Sequence, residues 1–313
     1  MPQVTTLGIL VADILGRPID SIPERGKLSH VKEMTLHIGG CAANPAIGLH
    51  KLGVDTACIG KVGNDGFGDY VAKFLSDSGV DVRGVRRDAV ATTSATMVLV
   101  GSDGERTFLH HIGANATLKP EDVDMGIVGA GAILHIAGAF LMPGFDGEPA
   151  AKVLKAAKER GVTTSLDTAW DATGQWMKVL EPMLQHVDYF VPSYEEARLL
   201  TAREDPRDVA KALRDYGIGI VCLKMGGDGA LCLSDEGEIR MPIFRVDPVD
   251  ATGAGDAFAA GFLCGVVQGW DLERTVQLAN AVGALCVTAM GTTAGLRSLE
   301  GTMEFIETRT KGG

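Results

Sequence analysis

An α/β protein with a central, mostly parallel sheet and a small β lid is what this sequence predicts, and three observations carry the prediction. Short β-branched runs alternate with longer amphipathic ones along nearly all of the 313 residues, the rhythm of a sheet covered by helices on both faces. Strand candidates such as IGIVCLK at 218–224 are apolar throughout, as burial on both faces demands. Glycine, at 41 residues, is well above the roughly 7% of average usage, so tight turns or close backbone approaches are built into the chain.

The elements follow in order. VTTLGILVA at 4–12 reads as the first strand, and NPAIGLHKLG as a helix ending at Gly53. VDTACIGKVG at 54–63 is a strand and FGDYVAKFLSDSG at 67–79 a helix. GAILHIAG at 131–138 is a strand, followed by the helix EPAAKVLKAAKERG, stopped by Gly161. VTTSLD, VDYFVPS and IGIVCLKMG are strands, with EEARLLTA and PRDVAKALRDYG helical before the last of them. GALCLSDEGEIRMPIF at 229–244 reads as a hairpin.

Two segments break the rhythm. SATMVLVGSDGERTFLH at 94–110 reads as two strands joined by a Ser-Asp-Gly turn, and KLSHVKEMTLHI at 27–38 is extended with alternating polar residues. Together they make a small sheet standing off the main one. With no repeat or linker in view, residues 1–313 are expected to form one domain, with a lid contributed by about 14–38 and 94–112.

Bulk properties narrow the function. A formal net charge of −11 argues against a nucleic-acid partner, whose phosphates most of the surface would repel. The six cysteines, at 41, 58, 222, 232, 264 and 286, show no CxxC spacing and sit mostly in apolar runs, so all six are expected to be reduced core residues. The N-terminus lacks signal-peptide form, and no stretch approaches about 20 uninterrupted apolar residues. The expectation is a cytoplasmic protein with no membrane partner.

The stretch DATGAGD at 250–256 raises the functional question. Gly253, Ala254 and Gly255 leave the backbone open to a ligand, and a helix begins at once. Its first-turn N–H groups lack intrahelical partners, and its dipole adds positive potential, so the turn is an anion site. Asp256, a carboxylate at that mouth, is either a helix cap or a base that takes a proton from a substrate hydroxyl.

DATGAGDAFAAGF resembles the C-terminal signature of the ribokinase-like, or PfkB-type, carbohydrate kinases. GGCAANPAIGLHKLGVDTACIGKVG at 39–63, continued by GNDGFGDYV, resembles their N-terminal signature. The resemblance runs from about Gly8 to Gly295. It implies a three-layer αβα fold and transfer of the ATP γ-phosphoryl group to a hydroxyl of a small sugar, with ribose, fructose, 2-keto-3-deoxygluconate and nucleosides all open as acceptors. Without the acidic residue that ribose-specific relatives often carry, IAGAFLMPG at 136–144 favours a hexose or keto-acid sugar.

The resemblance also implies roles. Asp256 would be the base and Gly253, Ala254 and Gly255 the anion hole. Asp250 and Thr252 lie where many members bind a monovalent cation such as K⁺. Asp13, expected at the end of the first strand, would bind sugar hydroxyls with Gly39, Gly40 and Asn44, unless Asp13 is a turn residue and Asn44 a helix N-cap. Arg106 in the lid hairpin would close over substrate or lie solvated. Glu196 in PSYEEA would reach Mg²⁺ through water, with Ser193 replacing the family's asparagine. Lys224, Gly226, Gly229 and Asn280 would line the ATP site. Asp171 stands where many members carry arginine, so no substrate role is carried over there. His110 and His111, adjacent on a strand, should point to opposite faces rather than share a metal. The lid strands suggest a homodimer. Competing readings are a non-catalytic sugar or nucleotide sensor, and a dinucleotide oxidoreductase, which the absence of G-x-G-x-x-G after the first strand disfavours.

Overall fold

The apolar run at 4–12 makes two strands rather than one. In the computed structural model, which describes residues 1–310, β1 (Val4–Gly8) enters the main sheet and β2 (Val11–Arg17) begins the lid. The cause lies at Leu10, whose N–H donates to Asn115 Oδ1 at 3.1 Å and whose carbonyl accepts from Asn115 Nδ2 at 3.2 Å. A buried side-chain amide thus satisfies both backbone groups where neither sheet does. Asp13 therefore sits on a lid strand, and not at the end of the first sheet strand as expected.

From there the chain runs β3 (Glu33–Gly39), α1 (Ala43–Lys51), β4 (Thr56–Gly63), α2 (Gly66–Asp77), β5 (Asp81–Asp88), β6 (Ala95–Val100), β7 (Arg106–His111), α3 (Met125–Gly129) and β8 (Ile133–Ala139). Its second half runs α4 (Glu148–Lys158), β9 (Thr163–Thr168), α5 (Met177–Leu184), β10 (Tyr189–Phe190), α6 (Tyr194–Thr201), α7 (Pro206–Arg214), β11 (Ile220–Lys224), β12 (Ala230–Ser234), β13 (Gly237–Met241), α8 (Ala254–Val267), α9 (Leu272–Cys286) and α10 (Leu299–Thr310). The main sheet has order β13-β12-β11-β10-β9-β8-β1-β4-β5. It is parallel except for the β11–β12–β13 meander at one edge.

Apolar cores cover its faces, one of them formed by Cys58 and Val62 of β4 with α1 and α2. Leu7, Ile59 and Ile136 pack against α4, α5 and α7 on one side, while Val4 and Cys222 pack against α8 and α9 on the other. This is the expected three-layer αβα arrangement. The lid is a separate four-stranded sheet of order β3-β2-β6-β7. β1 lies between β4 and β8, where the direction of winding reverses. Ligands of open α/β sheets bind outside the carboxyl ends of strands at such a point.

One cysteine expectation is corrected. Cys222 on β11 and Cys232 on β12 face each other in the antiparallel register and form a disulfide. A pairing across a ladder is invisible in sequence spacing, because it depends on register. Cys41, Cys58, Cys264 and Cys286 are free, and the last three are buried.

Candidate active site

The DATGAGD loop faces a cleft. Gly253 is the residue before α8 and adopts φ +80°, ψ 0°, a left-handed conformation natural to glycine. A Cβ there would fall 2.8 Å from the Thr292 Cβ. No side chain caps the helix; the Ala254 N–H donates to the Ala251 carbonyl at 3.3 Å, and a helix opening of this kind is suited to an anion. Asp256 lies in the first turn without capping it. Instead its Oδ2 accepts a 2.8 Å hydrogen bond from Asn44 Nδ2.

Asn44 is not an N-cap either, since that place belongs to Ala42. Its Oδ1 accepts from the Thr292 hydroxyl at 2.8 Å, which orients the amide so that its NH₂ points at Asp256. Burial raises the Asp256 carboxyl above its ordinary value, with the Asn44 bond and the Lys224 charge opposing.

Residues of the loop turn alternately to two cavities. Ala251, Ala254 and Gly255 line one of about 630 Å³. Thr252, Gly253 and Asp256 line the other, of about 790 Å³. Lys224, Gly226, Gly229 and Asn280 all line the first cavity, and Asp13, Gly40, Asn44 and Arg106 all line the second. A Cβ on Gly39 would lie 2.1 Å from Asp13 Oδ2, so only glycine leaves that carboxylate its position. Burial pushes the Asp13 carboxyl up, while the Thr96 hydroxyl and His37 pull it down.

A loop of small residues that lines two cavities, with a carboxylate facing the second, is an arrangement suited to group transfer. The pfkB family carbohydrate kinase profile matches residues 1–299. The chain belongs to the pfkB family of carbohydrate kinases. It is a phosphotransferase acting on a sugar hydroxyl. An ATP-dependent ribose-1-phosphate kinase of Halopiger xanaduensis is 33% identical over 285 residues, covering 91% of this chain and 92% of that one. Among solved structures, Arabidopsis thaliana ribokinase complexed with ribose and ATP superimposes with TM-score 0.87 at 26% identity, covering 98% of this chain and 99% of the other. A putative ribokinase II from E. coli in complex with ATP and Mg²⁺ gives TM-score 0.84 at 26% identity, covering 98% and 100%.

Behind the loop of this pfkB-family kinase lies a charged cluster. Lys224, at the end of β11, places Nζ 2.5 Å from Asp167 Oδ2, at the end of β9. Burial alone would lower the Lys224 ammonium, but the Asp167 carboxylate outweighs it and keeps the amine charged. The same ammonium lies close to the loop, 3.3 Å from where a Cβ on Gly255 would be. Glu196 borders this cluster, yet its Oε2 accepts from the Thr168 hydroxyl at 2.8 Å and closes a capping box with Ser193. Ser193, the departure from the family's asparagine, thus caps α6.

Asp171 also has a structural place. It accepts from Thr173 N at 2.8 Å and Trp176 N at 2.6 Å, pinning the turn that carries Trp170. The Trp170 and Trp176 rings meet edge to face at 5.2 Å. Trp170 and the lid residue Phe108 line the second cavity, and neither was singled out from sequence. Ile243, Phe244 and Val246 in the first cavity were missed as well; Asn280 holds the start of that segment by donating to the Met241 and Pro242 carbonyls at 3.2 Å each. His110 and His111 bond to different threonines, Thr96 and Thr92. Among the described residues no group of three His, Cys, Asp or Glu side chains is arranged to hold a metal. No helix among them is long and apolar enough to cross a membrane.

Proposed function

We propose that this carbohydrate kinase transfers the γ-phosphoryl group of ATP to a hydroxyl of a small sugar, with Asp256 as general base. One observation carries the reading: the loop residues alternate between two cavities, so a phosphoryl group held on the loop's N–H groups has a donor on one side and Asp256 on the other. ATP would bind along Gly226, Gly229 and Asn280, with Lys224 beside its terminal phosphates. The acceptor would lie against Gly39 and Gly40 with its hydroxyls on Asp13 and Asn44. Asp256 then removes the proton from the attacking hydroxyl, and the backbone at Gly253, Ala254 and Gly255 stabilises the charge of the transferring group.

Mg²⁺ keeps several waters and binds phosphates with one or two carboxylates, so Glu196 fits a water-mediated contact, and the ion would supply charge neutralisation on the phosphates. The residues expected to hold a monovalent cation, Asp250 and Thr252, do not fit one, because Arg106 already occupies them.

The relatives' names include ribose-1-phosphate kinase, fructokinase, aminoimidazole riboside kinase and ribokinase, so the acceptor is read from a panel. ADP release with ATP and Mg²⁺ against ribose, ribose 1-phosphate, fructose, 2-keto-3-deoxygluconate and nucleosides tests the reading, and silence across all of them would defeat it. A second reading, a nucleoside kinase, is favoured by Trp170 and Phe108 in the acceptor cavity, since aromatic faces suit a planar base. A non-catalytic sensor is disfavoured by the intact Asp256 and its loop.

We also read residues 1–313 as one folding unit and the protein as a cytoplasmic homodimer. Ile14, Leu36, Met97, Leu109 and Phe67 line an apolar hollow of about 1100 Å³ on the lid, a surface suited to a second lid. A monomeric mass by light scattering at micromolar concentration would remove the dimer.

A further inference from the structure

A buried carboxylate needs a positive partner, and the partner of Asp250 comes from the lid. Arg106, the first residue of β7, places its guanidinium 2.6 Å from Asp250 Oδ1 and also donates to the Thr252 hydroxyl. The Asp250 side chain is 1% exposed and that of Arg106 17%. Oδ1 also accepts from Thr252 N and Oδ2 from Gly291 N, each at 2.8 Å, and the Thr252 hydroxyl bonds to the carboxylate as well. Asp250 is thus held by one guanidinium, two N–H groups and a hydroxyl.

We propose that Arg106 is a positioning residue and the built-in cation of the phosphate-holding loop, standing where a monovalent ion would bind Asp250 and Thr252. A second cation at the same oxygens would face a fixed positive charge within contact distance, at a site largely shielded from water, where repulsion is strong. Guanidinium and ion therefore exclude each other. The guanidinium is never deprotonated in proteins, so the counter-charge it brings does not depend on pH. Because β7 delivers that charge, the loop is neutralised when the lid lies over the acceptor cavity. Lid closure, rather than ion concentration, then completes the site. Three residues after Asp250 comes Gly253, where the anion hole begins, so this charge also reaches the transferring group.

The proposal rests on the kinase reading for its activity arm, and a binding arm stands apart from it. Wild type and the variants Arg106→Ala and Arg106→Lys are compared in tetramethylammonium chloride and in KCl at equal ionic strength. Wild-type kcat is expected to be indifferent to K⁺. Arg106→Ala is expected to lose kcat by about 10²-fold without K⁺, the scale of a lost electrostatic contribution, and to regain most of it with K⁺. Arg106→Lys should keep much of the activity in either salt. In the binding arm, K⁺ should raise the melting temperature of Arg106→Ala and leave that of wild type unmoved. That arm reads the site even if no acceptor is found. Strong activation of wild type by K⁺ would overturn the proposal. So would an Arg106→Ala enzyme whose melting temperature ignores K⁺, or whose only defect is a raised KM for the acceptor in both salts, which would make Arg106 a substrate ligand.

Discussion

Asn44 on α1 donates a 2.8 Å hydrogen bond to Asp256 on α8, joining two residues 212 positions apart. The bond links the two signature segments of the chain, and the Thr292 hydroxyl fixes its direction by donating to the other end of the amide. The Cys41 thiol bonds to the same carboxylate, which lines the cavity where a substrate hydroxyl would reach it. Replacing Asp256 by Asn preserves the shape and removes the proton acceptor. Asp256→Asn is expected to lower kcat by about 10² to 10⁴, the usual contribution of a general base, with an unchanged melting temperature and intact ATP binding by calorimetry. Activity within about tenfold of wild type would defeat the base role, since that lies below the range for such a group.

The same pair sets a pH dependence. Burial raises the Asp256 carboxyl and the Asn44 bond lowers it. The base works only when deprotonated, so kcat/KM must fall as pH drops through this raised value. Asn44→Ala removes a lowering influence and should move the acid limb to higher pH. A profile whose acid limb does not move would show that Asp256 does not govern it.

Arg106 and Asp250 give a stability dependence that also runs toward loss at low pH, though from a lowered rather than a raised carboxyl. Burial would raise the Asp250 carboxyl, but the bonds from Arg106, Gly291 N and Thr252 N outweigh it and hold the group at about 2, below its ordinary 3.8. A folded-state value below the unfolded one gives stability that is complete above the unfolded value and is lost as pH falls through the folded one. Urea melts between pH 5 and 2 should show this loss in wild type, and a shallower slope in Arg106→Ala. Equal slopes would mean that the clasp does not form in solution.

What was legible in the sequence follows from how each feature is encoded. The glycine turn into a helix could be read because its requirements are local: small residues, then an apolar run. Gly253, left-handed and tight against Thr292, opens α8 as that pattern asks. The lid hairpin at 94–110 was legible for the same reason, as a turn between two extended runs. The division of the first strand was not, because it depends on Asn115, more than 100 residues away. Nor was the clasp between Arg106 and Asp250, or the disulfide between Cys222 and Cys232, since both follow from which strands become neighbours. Trp170 escaped notice because its place depends on a turn pinned by Asp171, at a position where the family pattern leads one to look for arginine.

Gly253 offers a test of the loop itself. Alanine there must adopt φ +80° and push against Thr292, which costs about 1 kcal/mol or more for a side chain forced into that region. Since Thr292 orients Asn44, the displacement passes to Asp256. Gly253→Ala is expected to lower kcat by more than its loss of stability alone would explain, while KM for ATP changes little. The check is a kinetic comparison at a temperature where circular dichroism shows the variant fully folded; a wild-type kcat there would mean the turn tolerates a side chain.

Lys224 is a buried positive charge lining the first cavity, and its pairing with Asp167 makes a two-part prediction. Methionine in its place removes the ammonium beside the loop, so KM for ATP should rise and kcat should fall together. It also leaves the buried Asp167 carboxyl, already pushed up to about 7 by burial, without the ammonium that opposes that rise, so the carboxyl takes up a proton near neutral pH and its cost to stability grows as pH rises. Adding Asp167→Leu to Lys224→Met removes the stranded carboxyl. The double variant is therefore expected to recover stability in denaturant melts, while its activity stays lost, because the phosphate-facing cation is still missing. Recovery of both together would mean that Lys224 serves the fold alone, and recovery of neither would mean that the pair contributes through packing rather than charge.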